Sequence, residues 1–460
     1  MEALQAGIDL LNRFFSGPVM VGGIAAVGLL LTWKTRLVQL RRLGTALKAV
    51  RRQLFRKRAG EKGGITPFQA VATALSGTLG TGNIAGVAAA VSLGGPGAIF
   101  WMWVSAFLGM ATKYAEIVLA LASRRRKPDG SWAGGPMYYI EDAMGGRRLA
   151  SAFAVFCLLS SFCMGNLVQS NTAAAAAAGI TGLSPGGIRL LFLGIAVVIG
   201  CVILGGIRRI AQVTEALVPG MALFYLGGCG VVLLTHLPEL PGAFREIFQG
   251  AFSLRSAAGG AGGWLLGQAV KVGFSRGIFT NEAGLGSAPI AHASADTDLP
   301  ARQGLWGIFE VFLDTVVMCT LTGLVVILSG FYREPSLNGA ALTLAAFQKY
   351  LGSFAAFLIG ISTIFFALAS IIGWAWYGEA CVRYLCPGRW ALLLYKTFYI
   401  LAVFLGASAE IGLVWGLADL CNGLMMLPNL AALALLSPVV ARETRILDQT
   451  LKSAPEERAS

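Results

Sequence analysis

One apolar segment of the chain, residues 68–94, is long enough to cross a lipid bilayer but contains the residues that helices tolerate least. It reads FQAVATALSGTLGTGNIAGVAAAVSLG, with Gly77, Gly80, Gly82 and Gly86 set among small polar residues. Each glycine costs a helix about 1 kcal/mol relative to alanine, and unsatisfied backbone groups in hydrocarbon cost several kcal/mol apiece. The segment therefore predicts a broken transmembrane helix whose exposed backbone binds a substrate or an ion. Close helix packing through small residues is the alternative.

Composition places the chain in the membrane. Of 460 residues, 56% are hydrophobic and only 13% are charged, whereas ordinary soluble domains carry about 25% charged residues. The net charge of +13 would suit a nucleic-acid partner, but the charged residues lie in the loops between apolar segments, where they act as topology signals. The composition thus predicts an all-α polytopic membrane protein in contact with the lipid bilayer, and no nucleic-acid partner.

Eleven apolar segments approach the length of about 20 residues that a transmembrane helix needs. They are 18–33, 66–94, 97–122, 150–177, 187–206, 211–234, 262–292, 304–330, 354–384, 389–408 and 411–437. Lysine and arginine concentrate in alternate loops, with eleven of them between residues 34 and 62. This bias predicts a multi-pass protein of the cell (inner or plasma) membrane, with its N-terminus outside and its C-terminus in the cytoplasm.

Three further segments have the pattern of amphipathic helices. Segment 34–62 combines its basic residues with leucines at helical spacing, which predicts a helix lying along the inner membrane surface. Segments 238–258 and 336–352 are amphipathic candidates on the outer side.

A second apolar segment, residues 263–293, repeats the features of the first. Gly273, Gly277, Gly284 and Gly286 are interspersed with Thr280, Asn281 and Glu282. Without the first span, the two interrupted segments are the first and the sixth of ten. Because five is odd, the second half would be inverted relative to the first, a pattern that points to a transporter binding site near the bilayer midplane.

The chain therefore predicts eleven transmembrane helices, with a 5+5 inverted-repeat core, two discontinuous helices and one extra N-terminal helix. The expected divisions are 1–64 (N-terminal helix and basic segment), 65–235 (first repeat), 236–437 (second repeat) and 438–460 (cytoplasmic tail).

The ends of the half-helices suggest the chemistry of the site. Backbone N–H groups around Gly80, Thr81 and Gly82 open the second half-helix, and the positive end of its dipole suits a carboxylate. Carbonyl oxygens near Ser76 and Leu79 end the first half-helix and suit a small hard cation such as Na⁺.

Seven stretches of the chain carry a family resemblance. They are TALSGTLGTGNIAGVA (73–88), WMWVSAFLGMATKYAE (101–116), GGPMYYI (134–140), MGNLVQSN (164–171), GGIRRIAQVTEALVP (205–219), SRGIFTNEAGLGSAP (275–289) and SIIGWAWYGE (370–379). These stretches occur in the same order as in the alanine/glycine:cation symporters (sodium:alanine symporters) of the amino acid–polyamine–organocation superfamily, which the chain therefore resembles. The resemblance implies the eleven-helix architecture and uptake of a small neutral amino acid, alanine or glycine, with Na⁺ as the co-transported ion.

The resemblance also implies roles for individual residues. Gly80, Thr81 and Gly82 match the unwound turn that holds the substrate carboxylate. The remaining pocket positions are Gln169, Phe279, Asn281, Ser370 and Trp374. Trp374 would restrict the substrate side chain to a hydrogen or a methyl group. Ser370 would offer its hydroxyl to the substrate, or to a cation that the carbonyls of Ser76 and Leu79 also bind.

Acidic residues inside the apolar segments are candidates for function or structure. Glu282 either faces the pocket or braces the break, with Arg276 as a partner. Asp419 and Asn422 lie one helical turn apart, which makes a gating contact conceivable. We expect Asp314, Asp419, Glu310 and Glu379 to pair with one another, or with Lys113 or Lys396, rather than coordinate an ion. No acidic residue precedes the second break to receive a substrate ammonium.

Three other functions compete with Na⁺-coupled symport. Coupling to H⁺ stays open because cation sites lined by carbonyls leave little trace in side chains. A channel could also use unwound backbone. An intramembrane enzyme is disfavoured, since the chain has no nucleophile elbow, no zinc motif and no carboxylate pair at workable spacing.

Overall fold

The computed structural model describes residues 7–8, 10–12, 20–54, 64–128, 130–252, 260–409 and 412–453. Most of them lie in helices. The predicted basic segment 34–62 and tail 438–460 fall partly outside the described residues, beyond Leu54 and Ser453. The main helices are Met20–Lys34, Leu43–Leu54, Pro67–Thr78, Ala85–Gly94, Gly97–Ala122, Pro136–Met144, Arg147–Phe162, Gln169–Thr181, Pro185–Leu204, Gly206–Thr235, Leu240–Phe252, Gly260–Asn281, Ala288–His292, Pro300–Val311, Thr320–Ser329, Gly339–Leu351, Phe354–Leu385, Arg389–Gly406, Gly412–Leu435 and Ser437–Ser453.

Eight helices within the described ranges are long and apolar enough to cross a membrane, and a bent pair raises the number to nine. The apolar helix Met20–Lys34 is shorter. The fold is therefore that of a polytopic helical membrane protein. The count of eleven spans and their arrangement as inverted repeats stay predictions.

The first broken helix consists of Pro67–Thr78 and Thr81–Gly94, which are bent by 60° relative to each other; the regular α-helix of the second half is Ala85–Gly94. It begins with a capping box, because the Thr66 side chain accepts from the Gln69 N–H and the Gln69 side chain accepts from the Thr66 N–H. The regular helix ends at Thr78, and a short 3₁₀ turn, Thr81–Asn83, leads into the second half. The interruption predicted from the glycines is present.

The second broken helix consists of Gly260–Asn281 and Ala288–His292. The turn between its halves contains three positive φ angles: 52° at Glu282, 92° at Gly284 and 83° at Gly286. Glycine adopts this conformation without steric cost, so the break falls at 282–287, toward the C-terminal end of the predicted stretch.

Gly273 and Gly277, by contrast, lie inside a continuous helix. A Cβ atom at Gly273 would collide with the Ala98 carbonyl, and one at Gly277 would collide with the Ser105 hydroxyl. These two glycines therefore allow close packing against the helix Gly97–Ala122. The prediction that Gly273 and Gly277 belong to the interruption of this segment is wrong, because they pack against a neighbouring helix.

Two helices contain π-helical segments that the sequence did not indicate. Cys163–Val168 joins Arg147–Phe162 to Gln169–Thr181, and Phe312–Cys319 joins Pro300–Val311 to Thr320–Ser329. Such segments often occur at functional sites because the wider turn redirects the side chains around it. The second segment lies beside both breaks, because Asp314 bonds to Asn83 and Thr315 bonds to Asn281.

The amphipathic segments are helical where the structure describes them. Leu240–Phe252 falls in segment 238–258, and Gly339–Leu351 falls in segment 336–352. Val38–Arg41 and Leu43–Leu54 form the described part of segment 34–62.

Candidate functional site

The turn at the first break lies against three other helices, Gln169–Thr181, Gly260–Asn281 and Phe354–Leu385. A Cβ atom added at Gly80 would lie 3.2 Å from Ser370 Oγ and 3.9 Å from Gln169 Nε2. One added at Gly82 would lie 3.3 Å from Thr280 Cγ2 and 3.8 Å from Phe279 Cδ1. The structure thus places Ser370 and Gln169 next to Gly80, and Thr280 and Phe279 next to Gly82. A side chain at Gly80 or Gly82 would crowd these neighbours.

The carbonyl groups at the end of the first half-helix have lost their usual donors. In a continuous helix the Gly80 N–H would bond to the Ser76 carbonyl, but here it donates to Asn83 Oδ1 at 3.1 Å. The Asn83 N–H, the usual donor to the Leu79 carbonyl, bonds instead to the Gly80 carbonyl. The carbonyls of Ser76 and Leu79 are therefore released from the helical ladder, as a cation site needs.

Three buried polar atoms at the site have no hydrogen-bond partner among the described residues. They are Ser370 Oγ, Gln169 Oε1 and Asn422 Oδ1. Ser370 is fully buried, and Gln169 and Asn422 are about 6% and 5% exposed. More than 90% of buried polar groups in native proteins are paired. These atoms therefore have the chemistry to bind a polar ligand or a cation.

The two aromatic residues predicted for the pocket have different surroundings. Trp374 is buried with its ring edge-on to Tyr377 at 5.3 Å, and it covers Gly165 of the first π-helical segment so closely that a Cβ there would collide with it. Phe279 lies over Gly82 and faces Trp415 at 6.4 Å.

Asn281 has both ends of its amide engaged by protein. Its Nδ2 donates to Thr315 Oγ1 at 3.2 Å, and its Oδ1 accepts from the Ala283 N–H at 3.0 Å. In this conformation Asn281 braces the second break.

Asp314 joins the two breaks through neutral partners. Its carboxylate accepts 2.7 Å hydrogen bonds from Asn83 Nδ2 and from Thr315 Oγ1. Asn83 belongs to the first break, whereas Thr315 bonds to Asn281 of the second. The expected pairing of Asp314 with a charged residue is replaced by this bridge, which lies on the second π-helical segment.

A buried charge cluster lies next to both breaks. Lys113 Nζ is 3.4 Å from Glu310 Oε1, and both side chains are fully buried. Thr78, the last residue of the first half-helix, donates to Glu310 Oε1 at 2.8 Å. His292, in the last turn of the second broken helix, is 3.3 Å from Glu310 Oε2. The predicted pairing of Glu310 with Lys113 is confirmed.

Two more carboxylates surround the same lysine. Glu116 and Glu282 both interact electrostatically with Lys113. Glu116 Oε1 accepts from the Gly284 N–H at 3.1 Å and from Asn429 Nδ2 at 2.7 Å. Glu282 Oε2 accepts from Ser287 Oγ across the turn at 2.5 Å. Glu282 therefore braces the break, one of the two alternatives left open for it.

The other intramembrane acids also have charged neighbours. Glu379 Oε2 lies 3.1 Å from Lys396 Nζ, as predicted, and Oε1 accepts from Arg383 at 2.7 Å. Asp419 interacts electrostatically with Arg276, which makes Asp419 rather than Glu282 the partner of this arginine.

A cavity reaches the second broken helix at one end of the bundle. A cavity of about 230 Å³ is bounded by Phe279, Arg276, Asp419 and Asn422 and extends to Leu93, near the end of the first broken helix. It therefore lies on the far side of the first break from Pro67, where this helix begins.

The opposite end is closed by backbone contacts. Ile65 forms a β-bridge with Ala295, which ties the start of the first broken helix to the end of the second. Arg124 donates to the carbonyls of Ala295 at 2.6 Å and Thr297 at 2.8 Å, and its guanidinium stacks 3.9 Å from the centre of the Trp132 ring.

The family model described as the sodium:alanine symporter family matches residues 1–459. The chain belongs to the sodium:alanine symporter family. Its members transport solutes across membranes, so this symporter-family protein is a transporter rather than an enzyme.

Named relatives agree over almost the whole length. The sodium/alanine symporter AgcS of Methanococcus maripaludis is 44% identical over 457 residues, covering 97% of this chain and 98% of the relative. The probable sodium/glutamine symporter GlnT of Bacillus subtilis is 36% identical, covering 95% and 90%. An uncharacterized transporter of Haemophilus influenzae is 43% identical, covering 98% and 97%.

Two solved structures share the fold of this family member. MhsT in complex with L-phenylalanine covers 84% of this chain and 99% of its own, with a TM-score of 0.54 and 14% identity. A manganese transporter mutant from Eremococcus coleocola covers 81% and 75%, with a TM-score of 0.51 and 16% identity.

Sequence reasoning missed Thr280 and Thr315 as neighbours of the pocket. Thr280 packs on Gly82, and its hydroxyl lies 3.4 Å from Thr315 Oγ1. A threonine in a transmembrane helix commonly bonds to its own backbone, as Thr280 does with the Gly277 carbonyl. Its sequence context therefore offered no signal.

Proposed function

We propose that this transporter imports a small neutral amino acid, alanine or glycine, together with Na⁺ by alternating access. The observation that carries the proposal is the Gly80–Gly82 turn, which lies against the Ser370 hydroxyl and the Gln169 amide nitrogen. The Ser370 hydroxyl and the Gln169 amide oxygen have no hydrogen-bond partner among the described residues. Unwound backbone beside buried, unpaired polar atoms is suited to a zwitterion and its companion cation.

The substrate carboxylate binds at the N–H groups of Thr81 and Gly82 and receives a hydrogen bond from Gln169. The Gly80 N–H already donates to the Asn83 side chain, so it can bind the substrate carboxylate only if this hydrogen bond breaks. The amide oxygens of Gln169 and Asn422 are the acceptors offered to the substrate ammonium, in place of an acidic residue. Phe279 covers the turn on the cavity side. Trp374 limits the size of the substrate side chain from behind the first π-helical segment.

Na⁺ binds to the carbonyl oxygens of Ser76 and Leu79 and to the hydroxyl of Ser370. The carbonyls are free of the helical ladder, and Ser370 is adjacent to Gly80. Hard cations prefer such oxygen ligands. Because carboxylate and cation sites share the Gly80 turn, occupation of one stabilises the other, and this couples the two fluxes.

Alternating access follows from the asymmetry of the two ends. We propose that residues 65–235 and 236–437 are inverted repeats within eleven spans, and that the cavity beside Phe279 opens outside. The closure around Arg124 then faces the cytoplasm, as does the C-terminus. Inward opening requires the Ile65–Ala295 bridge to separate and the cavity beside Asp419 to close.

The test is uptake of labelled amino acid into proteoliposomes. We expect an inward Na⁺ gradient to drive accumulation of alanine or glycine, and trans-substrate to accelerate exchange, which a channel would not show. Accumulation driven by a proton gradient in the absence of Na⁺ would show that H⁺, and not Na⁺, is the coupling ion. Glutamine is included because of the name of one relative, and its transport in preference to alanine would contradict the proposed substrate. No accumulation of any of these amino acids would overturn the proposal.

Removing the Ser370 hydroxyl should weaken binding. We expect Ser370→Ala to raise the Na⁺ concentration for half-maximal uptake by roughly tenfold or more, because a hydrogen bond or ion contact to a charged ligand contributes about 1.5–3 kcal/mol. Ser362→Ala is the matched control: Ser362 lies on the same helix, is fully buried, and its hydroxyl likewise has no hydrogen-bond partner in the part of the chain that the structure describes. Equal Na⁺ dependence in the two variants would remove Ser370 from the site.

A further inference from the structure

A basic cleft lies between the end of the helix Met20–Lys34 and the C-terminal helix Ser437–Ser453. Its volume is about 270 Å³. Four cationic side chains and one carboxylate line it: Lys34, Arg36, Arg41, Arg445 and Asp448. Nothing in the proposed transport cycle uses these residues.

The cleft is built around a strained turn. Arg36 and Leu37 have φ angles of 56° and 58°, a left-handed conformation that costs of order 1–3 kcal/mol for each non-glycine residue. Arg41 holds this turn, because its guanidinium donates to the Arg36 carbonyl at 2.6 Å and to the Thr35 carbonyl at 3.0 Å. The opposite wall is anchored by a 2.9 Å hydrogen bond between Thr444 and Tyr114.

The negative charge of the cleft is already neutralised. Asp448 accepts from Arg41 at 3.1 Å and from Arg42 at 2.6 Å. Partial burial would raise the pKa of Asp448, but the hydrogen bonds from Arg42 and Arg41 lower it overall. Asp448 thus stays ionised near neutral pH and is shared by two arginines. Lys34, Arg36 and Arg445 have no carboxylate partner in the described part of the chain.

The cleft lies at the headgroup level of the bilayer. Trp33, at the end of an apolar helix, is 73% exposed, and Lys34 lies 5.1 Å from the centre of its ring. Exposed tryptophan at the end of a span marks the membrane–water interface. Leu37 and Leu40 are 43% and 57% exposed on the same turn, so an apolar surface adjoins the basic one.

We propose that this cleft binds the headgroup of an anionic phospholipid. The phosphodiester accepts hydrogen bonds from Arg36, Arg445 and Lys34, and the acyl chains lie along Trp33, Leu37 and Leu40. Basic pockets next to the ends of transmembrane helices have the chemistry for such headgroups, and guanidinium groups bind phosphate through paired N–H donors. The lipid would fasten the first helix to the C-terminal helix.

The experiment measures the unfolding temperature of the purified full chain in neutral detergent during titration with phosphatidylglycerol. We expect saturable stabilisation of the wild type, and Arg36→Gln/Arg445→Gln should weaken the apparent lipid affinity by about tenfold or more. The matched control Arg302→Gln/Arg389→Gln removes the same charge from exposed positions that do not line the cleft and should behave as wild type. Lys34→Gln, which keeps both arginines, should lower the affinity by a smaller factor.

Two comparisons distinguish the lipid from other anions. Phosphatidylcholine and inorganic phosphate, at the same phosphate concentration, should give no saturable stabilisation. Equal stabilisation by inorganic phosphate would show a site for a free anion and overturn the proposal. Equal lipid affinity in the cleft and control variants would show general electrostatic attraction and would overturn it as well. If the double variant does not fold, an unchanged affinity in Lys34→Gln serves as the contradicting result.

Discussion

Replacing Gly82 by leucine is expected to reduce amino-acid uptake at least about 100-fold while the protein still reaches the membrane. A Cβ atom at this position would already lie 3.3 Å from Thr280 Cγ2 and 3.8 Å from Phe279 Cδ1. The rest of the leucine side chain must therefore displace the Phe279 ring or occupy the proposed substrate site. Displacing a binding group by about 1 Å can cost two orders of magnitude in rate. Initial rates of labelled alanine uptake into proteoliposomes measure the effect.

Gly86→Leu is the matched control for this experiment. Gly86 belongs to the same broken helix, four residues further on, and no atom lies within 4 Å of a Cβ added there. Leucine is also the better helix former, so folding should not suffer. Full activity of both variants would mean that the backbone at Gly82 does not contact the substrate, and the proposed site would fail. Equal loss in both would point to a general defect in the helix.

Replacing Lys113 by methionine is expected to destabilise the protein by about 3–5 kcal/mol, the cost of removing one partner from a buried ion pair. Methionine has a similar length, so packing is largely preserved, but Glu310 would lose its ammonium partner at 3.4 Å. Glu116 and Glu282 would lose the same positive charge. The unfolding temperature in detergent, together with the monodisperse fraction in gel filtration, measures the loss.

A second substitution tests the origin of this effect. Glu310→Gln in the Lys113→Met background removes one uncompensated carboxylate and should restore part of the unfolding temperature. Lys349→Met is the control, because Lys349 is exposed and its Nζ donates to the Ser329 carbonyl at 3.0 Å. A Lys113→Met protein as stable as wild type would show that the carboxylates are neutral without the lysine, and that the cluster does not hold the breaks together by charge.

The relation between sequence and structure differs between the two broken helices. In the first broken helix, the glycines predicted the position of the break, because several of them lie within a few residues of the bend. In the second segment, Gly273 and Gly277 have the same appearance but pack against a neighbouring helix, whereas Gly284 and Gly286 form the turn. A glycine does not reveal whether it serves a close approach or a left-handed angle until its neighbours are known.

The polar residues of the site show the same division. That Glu310 and Glu379 would need cationic partners followed from the cost of burying a charge, and Lys113 and Lys396 provide them. That Asp314 would instead bond to Asn83, 231 positions away, could not follow from local sequence. The proposed roles of Ser370 and Gln169 rest on the family resemblance, and their proximity to Gly80 in space is an independent observation.

The sequence by itself determined that this protein lies in a membrane, which family it belongs to, and approximately where both helix interruptions are. These properties are local, because hydrocarbon forces each backbone segment to satisfy its own hydrogen bonds within a fixed length. Only the tertiary structure decided which glycines turn the chain, where the π-helical segments lie, and which buried oxygens of the described residues have no hydrogen-bond partner. Those outcomes depend on contacts between residues far apart in sequence, because the role of a side chain is determined by the groups that it contacts in the folded protein.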